Sequence, residues 1–299
     1  MRPTAKKEAP KGQLGMPSDT LDTKVTFDVN FLDKFHEAAS PDRQRILDCL
    51  GGGALEFYAN EEALRELMGM AHSSRKDKLV AYAGCILQLT RGKILNPPMG
   101  LIASELRGAF ELQMDEGDRV QLVRFLEQAA GGQIPSAALT IGQRAIDDKE
   151  RSKQYFDAMF TASEGRFSKL SDMERAKISF DDLQERHWIN MGRKTVEQLC
   201  MDNGVPDPEK VADRVLADPS KYPHVRFWMK IFTLMLHRYL VLRRRRDRGD
   251  LFDLWQMNYL QDMDVYVTEE KKLPGWYEDV FGNSRRVMNW SQFIGEKWC

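Results

Sequence analysis

Residues 243–273, RRRRDRGDLFDLWQMNYLQDMDVYVTEEKKL, join an arginine run, an amphipathic segment opened by acids, and a short aromatic and β-branched run that ends in more acids. Gly249 and Asp250 read as a helix start, because Asp caps free amides, and Leu251, Leu254, Trp255, Asn258 and Tyr259 follow at helical spacing. Asp250 and Asp253, three apart, share one face of the first turn. Residues 264–268, DVYVT, are too short for a helix and rich in strand formers, so a strand is expected. Acids thus gather at a helix N-terminus and at the carboxyl end of a strand, where open α/β sheets bind ligands. Carboxylates crowded together repel unless a cation lies between them, and an all-oxygen donor set suits Mg²⁺ or Mn²⁺. The plainer alternative is that Asp250 and Asp253 serve the helix end while Glu269 and Glu270 are solvated loop charges.

Upstream, residues 225–242 are the most apolar stretch, but Arg226, Lys230, His237 and Arg238 interrupt it, which fits a buried helix and not a bilayer span. The run Arg243, Arg244, Arg245, Arg246 has three readings: contact with a phosphate backbone, ion pairing to the neighbouring acids, or a solvated helix end. Downstream, 271–276 (KKLPGW) and 280–283 (VFGN) read as turns and 285–290 (RRVMNW) as an edge strand. Trp276, Trp290 and Trp298 read as packing residues.

The start of the chain repeats the pattern. Residues 25–30 (VTFDVN) form a short extended run with Asp28 at its end, just before a helix; a cap or turn role for Asp28 stands beside a ligand-binding one. A second helix, 41–50, begins at Pro41 and stops at Gly51–Gly53. Residues 54–59 (ALEFYA) form a second strand, and Asn60 caps a helix, EEALRELMGMA, with Glu62 and Glu66 four apart on one side. Strand, helix, helix, strand, helix opens an α/β fold with parallel strands. From 78 to 236 the segments read as amphipathic helices without a convincing strand or fixed repeat, with loops at 95–100 and 205–210.

With 299 residues, of which 42% are hydrophobic, the chain has enough apolar material for one large domain or two small ones. The balance of 44 basic and 45 acidic residues gives no global attraction to nucleic acid, so such a partner must meet local basic patches. Cys49, Cys85, Cys200 and Cys299 show no metal spacing, no disulfide framework is expected, and a reducing cytoplasm is the default. Residues 1–22 read as a flexible tail without the apolar core of a signal peptide. The five histidines, His36, His72, His187, His224 and His237, lack metal spacing and read as packing or surface residues. No GxxxxGK[ST], HExxH or GxSxG is present.

The order Asp28 with Asn30 two residues on, Glu66 in REL after the second strand, Asp253 on a helix, and V-Y-V-T-E-E-K closing on Glu270 resembles the PIN-domain nucleases. The separations, 38 residues from Asp28 to Glu66 and 15 from Asp253 to Thr268, are near that family's, and the match covers about 25–75 and 245–290. The resemblance implies a three-layer α/β/α PIN-like domain with a parallel sheet, in two parts (23–77 and 237–299) split by a mostly α-helical insertion (78–236). It implies Asp28, Glu66, Asp253 and Glu270 as catalytic, Mg²⁺- or Mn²⁺-binding acids, with Asn30 and Thr268 beside them as substrate-binding residues and Asp250 and Glu269 as second-choice ligands. Arg243 to Arg246 are expected beside the substrate phosphates, and Asp264 at the far end of its strand. The last acid is Glu where the family usually has Asp, and the long helical block is foreign to its small toxins. The implied activity is a metal-dependent endoribonuclease, a candidate bacterial toxin or defence effector, whose helical block gates access, binds a regulatory protein or forms a homodimer. A PIN fold cutting DNA or structured flaps, a decayed PIN-fold interaction scaffold, and an unrelated helical protein with an incidental acidic cluster are the alternatives.

Overall fold

Four short strands, β1 (Thr23–Phe27), β2 (Leu55–Tyr58), β3 (Val265–Val267) and β4 (Val287–Met288), hydrogen-bond in parallel in the order β2-β1-β3-β4. They come from a computed structural model that describes residues 22–71, 75–134, 136–244, 250–281 and 286–299. The expected tail up to residue 21, His72, Arg245, Arg246, Gly249, Gly282, Asn283 and Arg285 lie outside the described residues. Val25 sits opposite Phe57 on one side and Val265 on the other, so β1 and β3 form the centre and β4 the expected edge.

Strand alternation sends Val25, Phe27, Phe57, Val265 and Val267 into one apolar cluster and Tyr266 and Val287 into another. The first cluster is closed by helices α1 (Val29–Glu37), α2 (Ser40–Gly51), α3 (Glu61–Met70), α4 (Lys76–Thr90), α5 (Pro98–Arg107) being set apart, and α6 (Glu116–Ala130). Phe31, Leu32 and Phe35 of α1, Leu64 and Leu67 of α3, and Leu79, Tyr82 and Ile86 of α4 fill it. The stretch expected to be wholly helical therefore contributes α4 and α6 directly to the core on the sheet, and it carries isolated β-bridges, Ala59 to Ile94 and Leu95 to Gln113.

Beyond α6 run the long α7 (Ser136–Phe167), the single turn α8 (Asp172–Arg175), α9 (Phe180–Asp202), α10 (Pro208–Ala217) and α11 (Pro223–Leu236), which continues into a π-helical turn, His237–Val241. Ile102 and Leu106 of α5, Val196 and Leu199 of α9, Val211 and Val215 of α10 and Val225 of α11 make a separate small core. The other face of β3 is covered by α11, α12 (Asp250–Gln256), which tightens into a 3₁₀ turn at Met257–Gln261, and α13 (Leu273–Phe281). The last helix, α14 (Trp290–Gly295), places Phe293 against Phe31 and Phe57.

Two expectations are overturned. Residues 273–281 are a helix, not a pair of turns, because Pro274 in the first turn forfeits only an N–H that has no helical acceptor. Cys49 and Cys299 form a disulfide across 250 residues of sequence, with Cα atoms 5.5 Å apart. Such a pair leaves no local spacing to read; beside it, Arg45 of α2 donates to the Ile294 and Glu296 carbonyls and holds the final segment across that helix. Cys85 and Cys200 are buried free thiols. Among the described residues, no helix is long and apolar enough to cross a membrane.

Candidate acidic site

The carboxyl ends of β1 and β3 meet through side chains. Asp28 is the N-cap of α1, its Oδ1 accepting from the Phe31 amide at 3.0 Å. Its Oδ2 accepts from the Thr268 hydroxyl at 2.6 Å and from Asn30 Nδ2 at 3.3 Å. Thr268 Oγ1 in turn accepts from the Glu270 amide at 3.0 Å, so one hydroxyl ties the loop after β3 to the acid after β1. Burial is the largest influence on Asp28 and pushes its carboxyl above the usual range against the Thr268, Phe31 and Asn30 hydrogen bonds, with Glu270 pushing the same way as burial.

The amide of Asn60 fixes α3 relative to these strands. It caps the helix by accepting from the Ala63 amide at 2.9 Å, and its Nδ2 donates to the Phe27 carbonyl at 2.6 Å and to Thr26 Oγ1 at 3.1 Å. Glu62 and Glu66, on successive turns of α3, then approach the same region, Glu62 buried and Glu66 exposed. On β3 the phenol of Tyr266 is fully buried and donates to Gln256 of α12. Burial raises its pKa well above the ordinary phenol range, and the fields of Asp28, Asp253, Glu62 and Glu66 raise it further. Four carboxylates, from the β1–α1 junction, α3 and α12, therefore lie within electrostatic reach of one buried ring.

The remaining expected residues are placed differently. Asp250 is the first residue of α12, buried, and is held by Lys272 at 2.9 Å and by the Tyr239 hydroxyl. Glu269 accepts from the Trp290 amide at 2.8 Å, which pins the start of α14. Asp264 is at the opposite end of β3, accepting from the Lys24 amide. Arg243, at a left-handed φ of 50°, pairs with Asp172 of α8 at 3.2 Å, and the Arg244 amide donates to the Arg238 carbonyl. Trp276 is buried, while Trp290 and Trp298 pack against the core of the first sheet face.

Among the described residues, no group of three or more His, Cys, Asp or Glu side chains converges closely enough to hold a metal ion. Comparison with protein-family models, with curated proteins and with solved structures finds no match for the chain. Sequence reading passed over Asn60 as an orienting residue beyond its cap, Gln256 and Tyr266 altogether, and Glu62 in favour of Glu66. For Glu62 the signal was present in its i,i+4 relation to Glu66; which of the two is buried depends on segments distant in sequence packing on α3, which no local pattern reveals.

Proposed function

We propose that the chain is a PIN-like nuclease that hydrolyses RNA phosphodiester bonds with Mg²⁺ or Mn²⁺, its PIN-like parts carrying a helical insertion over about 78–236. The observation that carries this reading is the Thr268–Asp28 hydrogen bond across the adjacent carboxyl ends of β3 and β1. Parallel strands in this order put acids from distant segments at one end of the sheet, where ligands of α/β folds bind. The groups there are the carboxylates, the Thr268 hydroxyl and the Asn30 amide, oxygen ligands that suit a hard divalent cation, and the buried, upward-shifted Asp28 is the kind of carboxylate that such a cation would stabilise in its charged form.

Asp28 and Asp253 would hold the ion, with Glu62, Glu66 and Glu270 completing its shell directly or through water, once these acids draw closer together than they lie here. When bound, it would supply a water acidified to near neutral pH and charge neutralisation at the scissile phosphate. The chain's own part is orientation: Thr268 and Asn30 hold Asp28, and Asn60 holds the helix bearing the glutamates. A second reading, a scaffold that keeps the fold without the chemistry, draws on the absence of a converged three-acid group among the described residues.

The deciding experiment is cleavage of labelled single-stranded RNA and DNA with Mg²⁺ or Mn²⁺ by the wild type, Asp28→Asn and Asp253→Asn. Metal-dependent cutting of RNA that both variants lose supports the nuclease; equal or preferred cutting of DNA moves the substrate to DNA. A folded wild type that cuts neither strand with either ion favours the scaffold.

A further inference from the structure

Residues 290–299 are attached at both ends, and one attachment is a bond that thiol chemistry can open. At the start, the Trp290 amide donates to Glu269 Oε1 at 2.8 Å. At the far end, Cys299 is joined to Cys49 of α2. Between them, Phe293 is fully buried, with its ring centroid 6.0 Å from those of Phe31 and Phe57, and the Trp290 ring lies 5.5 Å from Phe31. Beyond Phe293, Arg45 donates to the Ile294 and Glu296 carbonyls and the Trp298 indole donates to the Phe293 carbonyl. The six residues of α14 are too few to persist as a helix alone, so their order depends on what holds the segment down.

This segment borders the acidic site. Phe31, on which Trp290 and Phe293 both pack, is the residue whose amide donates to Asp28 Oδ1. Glu269, held by the Trp290 amide, precedes Glu270, whose amide donates to Thr268 Oγ1, and that hydroxyl donates to Asp28. The Thr268 amide donates to the carbonyl of Met288, on the strand that leads into α14. The order of residues 290–299 and the order of the loop after β3 are therefore linked through Glu269 and Phe31.

The disulfide is open to attack from one side. Cys49 is buried whereas Cys299 is exposed, so an incoming thiolate meets the Cys299 sulfur. Cys85 and Cys200 do not compete for it: both are buried free thiols, and burial pushes each above the ordinary thiol range, which leaves little thiolate for exchange.

We propose that the Cys49–Cys299 disulfide is a redox latch on the loop of the acidic site, closed when oxidised and opened by a dithiol reductant. The first thiolate of the reductant bonds to the Cys299 sulfur as the S–S bond breaks, and Cys49 leaves as a thiolate that takes up a proton. The second thiol of the reductant then closes onto the first and expels Cys299, so two electrons and two protons pass to the protein and the reductant becomes a cyclic disulfide. Residues 290–299 then rest on the Trp290 and Phe293 ring contacts and the Arg45 and Trp298 hydrogen bonds, open locally more often, and with each opening release Glu269. The latch governs the order of this loop whatever chemistry the site performs, so it stands apart from the nuclease reading.

The test is amide hydrogen exchange by NMR at Thr268, Glu270 and Trp290 of the full chain, after oxidation with glutathione disulfide and again after reduction with dithiothreitol, with reactive thiols counted in denaturant. Two are expected after oxidation, those of Cys85 and Cys200, and all four after reduction. Reduction should speed exchange about tenfold at Trp290 and to a smaller extent at Thr268 and Glu270, leave β1 and β3 unchanged, and reverse on reoxidation. Cys299→Ser should exchange like the reduced wild type and ignore the reductant; the wild-type comparison needs no variant and stands even if that protein folds poorly. More than two reactive thiols after oxidation, a disulfide that dithiothreitol does not open in the folded protein, exchange at Thr268 and Glu270 that reduction leaves unchanged, or a response that persists in Cys299→Ser each overturns the latch.

Discussion

Replacing Thr268 by Val keeps the side chain's shape and removes one hydroxyl that serves two partners. The residue is 2% exposed, its Oγ1 donates to Asp28 at 2.6 Å, and it accepts from the Glu270 amide at 3.0 Å. A hydrogen bond to a charged group contributes about 1.5–3 kcal/mol, and a stranded buried partner adds to the cost. Here Asp28 retains Asn30 and the Phe31 amide, and the Glu270 amide is half-buried, so the loss should sit near the middle of that range, about 2 kcal/mol. For a chain of this size that is roughly a 3 °C fall in Tm. Thr268→Ser keeps the hydroxyl and gives up one methyl, costing about 1 kcal/mol. Urea denaturation near neutral pH measures both. Removing the donor also lets Asp28 titrate higher still, because the Thr268 bond is the strongest influence holding it down. The penalty of Val must then shrink as pH falls and Asp28 becomes protonated. A Thr268→Val protein within about 0.5 kcal/mol of wild type at neutral pH, or one whose deficit ignores pH, would refute the account of how β3 is tied to Asp28.

Asp28→Asn keeps the cap, since Asn caps as well as Asp, and removes a charge that burial penalises. A carboxyl raised by folding adds stability that is fully present below its unfolded pKa and lost as pH rises through its folded one. Without divalent metal, the Asn variant should therefore gain on wild type as pH rises above the ordinary carboxylate range of about 4 in denaturant titrations, and a variant that loses ground as pH rises contradicts the burial argument. Glu105, whose two oxygens accept from the His224 and Val225 amides at the start of α11, is buried; Glu105→Gln leaves one amide unserved and should cost about 1–3 kcal/mol by thermal melting, an unchanged Tm contradicting it. Cys299→Ser opens the disulfide to α2 and should cost about 2 kcal/mol. Its hydrogen exchange should quicken over residues 290–299 and remain unchanged in β1 and β3; uniform acceleration would show a wider role for the link.

What the sequence disclosed was what short-range rules govern. Strand ends followed by capped helices, as at Phe27-Asp28 and Ala59-Asn60, are written in adjacent residues, and the structure has both caps and the parallel order they suggested. Val265–Val267 and the edge at Val287–Met288 were legible for the same reason. What stayed hidden depends on distant segments meeting. The pair Cys49 and Cys299 has no local trace, and the partner of Arg243 is Asp172 on α8, about seventy residues away, not the acids next to it in sequence. KKLPGW misled because Pro and Gly mark turns and helix starts alike, and only the burial of Leu273, Trp276 and Tyr277 against the core beneath decides between them.

The two glutamates of α3 show how a motif match and a burial argument pull apart. By spacing, Glu66 stands where the proposed PIN-like reading puts its glutamate; by surroundings, Glu62 is the sheltered one, 8% exposed while Glu66 is open to solvent. An exposed carboxylate is already solvated, so giving up water for a cation gains it little, whereas a buried one recovers its desolvation cost when a cation arrives. The electrostatic order around Tyr266 agrees, with Glu62 acting more strongly than Glu66. On the proposed metal-binding reading, Mn²⁺ at a hundredfold excess over Kd should stabilise the wild type by about 2.7 kcal/mol, and Glu62→Gln should abolish most of the resulting rise in Tm while Glu66→Gln reduces it only in part. Thermal melts of both variants with and without Mn²⁺ decide it: a full Mn²⁺ response in Glu62→Gln together with none in Glu66→Gln would return the role to the motif position, and would mean that the exposed turn of α3 swings inward when the ion binds.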